Sequence, residues 1–259
     1  NAGFLVTPSK LRQRAKSKSE AKMFSKLLQT LRCALPAACI VCQQASGRDY
    51  SLCEDCELTL PKLGECCQRC GVELKGRLSY ESLCSSCLLS APTFDTCRAA
   101  FPYASPINKL VGNFKFSARF DIGYSLSRVL SRAFNAHYSG TGKPQLLLPV
   151  PLHTKRLRAR GFNQSNEICR VLSSHCGVTT AYSVLKKIRS TKAQTSMNSA
   201  DARKSNLRGA FALSPAEALK DISHIALVDD VVTTMATSEV ISKLIRAQQD
   251  CQIDVWCLA

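Results

Sequence analysis

No apolar run among the 259 residues approaches the ~20 that a membrane-crossing helix needs, so a span is not expected. A charged leader followed by an apolar stretch and a small-residue cleavage site is also missing. Secretion is therefore unsupported, and the cytosol is the expected compartment. Aromatic side chains make up only 7% of the chain, so platforms for stacking nucleic-acid bases are scarce. Acids are in short supply as well: 19 Asp and Glu face 35 Lys and Arg, a formal net charge of +16. Apolar residues are not lacking. At 45% they exclude disorder for the bulk of the chain, and the length allows one domain plus a smaller module.

The positive charge is unevenly placed. Residues 1–32 hold eight Lys/Arg against one Glu, and residues 143–208 hold thirteen against two acids. Residues 209–259 reverse the sign, with three against seven. Concentration of this kind fits a polyanionic partner, a nucleic acid or a phosphorylated small molecule, or else a solvated basic surface. The opening segment KLRQRAKSKSEAK is basic and has no apolar face, so 1–32 is expected to be an extension, disordered at least to residue 22. From Met23, the residues Phe24, Leu27, Leu28 and Leu31 fall at helical spacing, which marks Met23 as the expected biological start.

Fifteen cysteines are present, and four C-x-x-C pairs follow one another: Cys39/Cys42, Cys53/Cys56, Cys67/Cys70 and Cys84/Cys87. The gaps between them are ten, ten and thirteen residues. One such turn presents two thiolates to an ion and two turns complete a tetrahedral site, so eight ligands imply two structural zinc ions. Sequence does not fix the pairing; neighbours in order, first with second and third with fourth, are expected over a cross-brace, and Gly71 suits a tight knuckle. Disulfides fit poorly without a secretory leader. A redox C-x-x-C is expected singly within a βαβ unit, not four times in a loop-rich region. Every ligand position is a cysteine, so no open coordination site for catalysis is implied.

From about residue 98 the pattern becomes α/β. SPINKLVGNFKF suggests a short helix. FDIGYSLSRVLSRAF puts Ile122, Leu126, Val129, Leu130 and Ala133 on one helical face. QLLLPVPL is a near-continuous apolar run, as in a strand covered on both faces. FNQSNEICRVLSSHCG is helical and closes on Gly177. AYSVLKKI, HIALVDD and QIDVWCLA read as further strands, with TSEVISKLIRAQ a helix between the last two. Such alternation predicts a parallel, doubly wound sheet, in which ligands bind beyond the carboxyl ends of the strands.

Two strand ends carry chemistry. One is PVPLHTKRLRARGFNQ, with Lys155, Arg156, Arg158 and Arg160. The other is VDDVVTTMATS, where Asp229 and Asp230 precede Thr233, Thr234 and Thr237 just before a helix. First-turn amides of a helix lack partners within it, so with nearby hydroxyls they form an anion site. Capping would explain one acid; a sugar diol beside a helix-bound phosphate explains two.

On these motifs the chain resembles the type I phosphoribosyltransferases, and within them the ComF/GntX family, which joins a double zinc ribbon to a phosphoribosyltransferase-like domain. VDDVVTTMAT is similar to the family's phosphoribosyl-pyrophosphate loop, RGFNQ preceded by PVPL to its second signature, and NLRGAF and NFKF to weaker ones. The likeness implies a zinc-ribbon module over 33–97 and a parallel-sheet α/β domain over 98–259. It further implies that Asp229 and Asp230 hold the ribose hydroxyls as the catalytic pair, while Thr233, Thr234, Met235, Ala236 and Thr237 wrap the 5′-phosphate. Pro151, Lys155, Arg156, Arg160 and Lys115 are the candidates for the pyrophosphate, which would carry magnesium. The segment RSTKAQTSMNSADARKSN would be a lid. Loss of pyrophosphate from C1 develops oxocarbenium character, so positioning and electrostatics would supply the catalysis. Met235 departs from the family's glycine. Either the loop re-forms with Met235 pointing outward and binding survives weakened, or the pocket has lost its ligand; the first is expected.

Three functions follow: Mg-dependent transfer of a phosphoribosyl group to an unidentified nitrogen acceptor, handling of single-stranded DNA, and a scaffold whose ribbons dock a partner. The resemblance implies a role in DNA uptake or use of external DNA, with proteins of the uptake machinery as partners. Phe114, Phe116 and Phe162 are the candidate stacking residues, each also suited to the core.

Overall fold

The computed structural model describes residues 37–74, 82–191, 206–215 and 219–259. The extension 1–32 lies outside the described residues, as do positions 192–205 of the expected lid. Two compact units are distinguished, Asn1–Leu58 and Thr59–Ala259, and the division falls between the second and third C-x-x-C pairs.

In the first unit, Cys39 N donates to Gln44 O at 2.7 Å and Gln43 N to Cys39 O at 3.0 Å, closing a knuckle around Cys39 and Cys42. Gln43 takes the left-handed conformation there, φ 63°. Helix α1 (Glu54–Thr59) starts immediately after Cys53 and carries Cys56, with three acids in its first turn, where the helix dipole favours them.

The second unit opens with a knuckle of the same design. Gly71 N donates to Cys67 O at 2.9 Å, and Gly71 has φ 72°. Helix α2 (Ser85–Leu89) follows Cys84 and buries Cys87. The α/β part then runs β1 (Thr96–Ala99), α3 (Ile107–Ser117), α4 (Phe120–His137), β2 (Leu146–Pro149), α5 (Thr154–Arg160), α6 (Gln164–Cys176), β3 (Thr179–Thr180), β4 (Leu185–Lys187), β5 (Phe211–Leu213), β6 (His224–Asp229), α7 (Ala236–Arg246) and β7 (Gln252–Cys257).

Five strands form one sheet in the order β1-β7-β6-β2-β3, every neighbouring pair parallel. The central strands are buried on both faces, which is why LLLP and IALV read as continuous apolar runs, while the equally buried IDVWC includes Asp254, satisfied by Thr96, Tyr138 and His224. Side chains alternate across the sheet. Leu146, Leu148, Ile225, Leu227, Ile253 and Val255 share one core with Ile241 and Ile245 of α7. On the other face, Phe134 of α4 meets Trp256 of β7 at 5.0 Å between ring centroids, and α6 packs on β2 and β6. Helices therefore cover both faces, the doubly wound arrangement. Gly123 allows α4 to pack against α3: a Cβ there would lie 2.4 Å from the Phe114 ring.

Two differences from the sequence expectation have physical causes. AYSVLKKI does not join the parallel sheet; its strand is β4, paired antiparallel with β5 in a separate ribbon, and the sheet is extended instead by the two-residue β3. Edge strand β1 has one buried residue, Cys97, in a polar TCRA segment, so no apolar run announces it. Within α4 the buried stripe is Ile122, Leu126, Leu130 and Phe134, joined by Ser125, Ser127 and Ser131; Val129 and Ala133 are half-buried.

Candidate functional site

The carboxyl ends of β2 and β6 open into a cleft of about 730 Å³. Asp229, Asp230, Thr233 and Thr237 form one wall; Lys115, Arg156, Arg160 and Lys187 bring four cations to the same space. Phe116, Phe162 and Tyr103 contribute aromatic surface, and Pro151, Asn163, Gln164 and Ser165 complete the floor.

Each group is held by an identifiable local feature. Asp229 is the last residue of β6, and its Oδ1 accepts from Ser165 Oγ at 3.2 Å and from Asp230 N at 2.8 Å. Asp230 Oδ1 pairs with Lys115 Nζ at 2.9 Å, which docks the end of α3 onto the strand end. Asn163 caps α6 by accepting from Ser165 N and donates its own amide to Val150 O at 3.0 Å, so RGFNQ is bonded directly to the end of β2. Arg160 donates to Gln164 Oε1 at 2.8 Å and lies 5.2 Å from the centre of the Phe116 ring. Arg156 donates to Thr191 O at 3.1 Å. Gln164 Nε2 is buried without a hydrogen-bond partner.

Proton affinities in the cleft are shifted. Burial, and then the neighbouring charge of Asp230, push the Asp229 carboxyl up to about 7; the Asp230 amide, Lys115 and Ser165 oppose the rise. Burial and the nearby Arg156 guanidinium bring the Lys187 ammonium down to about 8, while Asp229 pulls the other way. Burial also lowers Arg160. An acid reluctant to ionise beside a lysine reluctant to stay charged is an arrangement that incoming hydroxyl donors, cations and anions would relieve.

The loop after β6 is fixed from behind. Asp230 O accepts from Leu258 N at 3.1 Å, and Val232 N donates to Ala259 O at 2.9 Å. Thr234 Oγ1 is buried and unpartnered. Met235 has φ 58° and ψ 1°, the conformation a glycine would favour, and it immediately precedes α7. Its half-buried side chain neither enters the cleft nor turns outward as expected. It packs between the α/β core and the cluster of Cys67, Cys70 and Cys87. Thr234, Met235 and Ala236 are absent from the cleft lining, and Lys155 is exposed on α5, outside it. Phe114 is core, with no exposure, whereas Phe116 is 78% exposed at the rim.

Sequence reasoning overlooked Lys187, Ser165, Gln164 and Tyr103. The RGFNQ signature carried the signal for Gln164, and Ser165 is the residue that follows it. The Lys186–Lys187 doublet sits in a strand whose successive residues face opposite sides, so only one of the pair could reach the cleft.

The cysteines form two four-sulfur groups, Cys39/Cys42/Cys53/Cys56 and Cys67/Cys70/Cys84/Cys87, each with all ligand atoms within 4.8 Å of one another. Cys42 and Cys53 sulfurs are 3.8 Å apart and those of Cys70 and Cys84 3.5 Å, near the ~3.8 Å edge of a tetrahedron built on 2.3 Å zinc–sulfur bonds. Burial opposes ionisation of Cys39 and Cys67, yet backbone N–H groups aimed at the sulfurs bring both down to about 6. Burial and the neighbouring thiols push Cys56 up to about 12. Four thiols cannot all ionise unaided; a divalent cation among them makes that possible. The donor sets fit structural zinc.

Comparison with known proteins agrees. The double zinc ribbon family matches residues 30–88. Competence protein F of Haemophilus influenzae is 33% identical over 80% of this chain and 90% of its own. The DNA utilization protein YhgH of Salmonella typhimurium is 31% identical over 86% of this chain and 97% of its own, and that of Escherichia coli K12 32% over 87% and 94%. A solved structure of the allosteric regulatory enzyme of purine biosynthesis aligns at a TM-score of 0.36 and 13% identity over 57% of this chain and 30% of that one, too loose to add to the topology. Fold and site together define a protein that joins a double zinc ribbon to a parallel-sheet α/β domain. The chain belongs to the ComF/GntX family, that of competence protein F and YhgH.

Proposed function

We propose that the cleft binds phosphoribosyl pyrophosphate with magnesium, and that the protein serves DNA uptake or the use of external DNA in the cytoplasm. The observation that carries the binding proposal is the continuity of acid pair, left-handed turn and helix start. Asp229 ends β6 and Asp230 follows it, Met235 takes φ 58°, and α7 begins at Ala236; from this stretch Asp229, Asp230, Thr233 and Thr237 line the cleft with Lys115, Arg156, Arg160 and Lys187. The acids suit a ribose diol, the start of α7 suits the 5′-phosphate, and the cations suit a pyrophosphate.

Magnesium would enter with the pyrophosphate beside Pro151, and the chemistry it would supply is charge neutralisation of the leaving group. The chain's own part is to hold the sugar by Asp229 and Asp230 and the leaving group by Arg156, Arg160 and Lys187. Ser165 and Lys115 fix the two carboxylates. Transfer to a nitrogen acceptor would then need no protein nucleophile. The competence and DNA-utilization names of the relatives support the cellular role. Exposed Phe116 beside Arg160, with Lys155 and Arg158 exposed on α5, supports a second ligand, single-stranded DNA, at the rim. Titration with phosphoribosyl pyrophosphate, with and without Mg²⁺, tests the first ligand. Binding of a labelled oligonucleotide across a salt series tests the second, because phosphate contacts impose a steep loss of affinity with salt.

A further inference from the structure

Met235 occupies a left-handed position that glycine would fill without cost, and its long side chain is engaged by two clusters, the α/β core and the second cysteine group. Three connections join this part of the chain to the second four-cysteine group. The Met235 side chain packs on Cys67, Cys70 and Cys87, in a cluster that also takes in Leu74, Leu83 and Cys84. Thr93, shortly after Cys87, donates its N–H at 2.8 Å and its hydroxyl at 2.7 Å to Glu239, whose own N–H bonds to Met235 O at 2.8 Å. Cys97 N donates to Arg69 O at 2.7 Å, and Gly71 lies against Cys97 so closely that a Cβ would come within 2.5 Å of its carbonyl oxygen. The knuckle is thus fixed to β1, the segment after α2 to the first turn of α7, and the sulfur cluster to the phosphate loop by one thioether.

We infer that Met235 is a positioning residue that couples the metal-bound form of the second four-cysteine group to the conformation of the phosphate loop. A cation would fix the four sulfurs and with them the surface on which Met235 rests. Dense packing passes that constraint to the loop backbone, because a displaced sulfur leaves the side chain without its neighbours. Coupling between two sites is reciprocal, so a ligand in the cleft retards loss of the cation from Cys67, Cys70, Cys84 and Cys87. This second half rests on the proposed ligand of the cleft; the first does not.

The test is site-resolved thiol alkylation of the full zinc-loaded protein in excess chelator, read by mass spectrometry of the cysteine peptides. It compares wild type, Met235→Gly and Met235→Leu. Met235→Gly should speed labelling of Cys67, Cys70, Cys84 and Cys87 by about fivefold or more and leave Cys39, Cys42, Cys53 and Cys56 unchanged. Met235→Leu, which restores apolar bulk, should return the rate to within about twofold of wild type. Phosphoribosyl pyrophosphate with Mg²⁺ should slow labelling of the second group in wild type by about fivefold and leave Met235→Gly insensitive. Unchanged labelling, or equal acceleration of both groups as general destabilisation would give, overturns the coupling. A calorimetric titration run alongside separates the two claims. If the ligand binds wild type yet gives no protection, the coupling fails. If it does not bind, the cleft assignment fails, while selective acceleration still upholds the role of Met235.

Discussion

Replacing Asp229 by Asn should stabilise the ligand-free protein, and by more at pH 8 than at pH 6. Burial and Asp230 hold the Asp229 carboxyl up at about 7 in the folded chain, against an ordinary value of 3.8. A group raised on folding contributes stability that is fully present below its unfolded value and is lost as pH rises through the folded one. The loss from Asp229 thus begins near pH 4 and is complete just above pH 7. Linkage with these two values gives a cost of about 3 kcal/mol at pH 6 and about 4 kcal/mol at pH 8, a difference of about 1 kcal/mol, as an upper bound. The titration belongs to the Asp229–Asp230 pair, so part of it will appear at Asp230. Asparagine keeps an oxygen to accept from Ser165 Oγ and Asp230 N, so those bonds survive the change. Urea unfolding of both proteins at pH 6 and 8 measures the effect, and ionisable groups remote from Asp229 cancel in the comparison. A gain from the substitution that is equal at the two pH values, or larger at pH 6, would refute the buried-carboxyl account.

Other perturbations have equally definite outcomes. Lys115→Met removes the cation paired with Asp230 at 2.9 Å and should weaken binding of phosphoribosyl pyrophosphate about tenfold, measured by calorimetry. Gly123→Ala drives a methyl into the Phe114 ring and should cost about 1–3 kcal/mol in chemical denaturation. Cys39→Ser and Cys67→Ser should each cut bound zinc from two equivalents to one by atomic absorption, because the ligands fall into two separate groups. Retention of both ions in either variant would contradict that grouping.

Much of this was legible before any coordinates. Strands β2 and β6 are covered on both faces, and burial on both faces leaves the near-continuous apolar runs LLLP and IALV. Spacing of the cysteines left neighbour pairing and a cross-brace both open, and the two four-sulfur groups follow the neighbour order that was expected. Where burial is slight, the signal fades. Strand β4 buries Leu185 alone and takes its partner from 211–213, so its antiparallel pairing depended on a segment far along the chain. The destination of Met235 was hidden for the same reason. The loop motif marks the residue as an exception to glycine, but the cysteines that receive its side chain lie far earlier in the sequence and reach it only through the tertiary fold. Lys187 was hidden too, since a lysine doublet in an unplaced strand gives no hint of which member faces the acids.

The assignment of the cleft can be put to one measurement. Isothermal titration of wild type and of the Asp229→Asn/Asp230→Asn double variant with phosphoribosyl pyrophosphate should give saturable, Mg²⁺-dependent heat for the wild type and little or none for the variant. No heat in either protein, or undiminished heat in the variant, would contradict it.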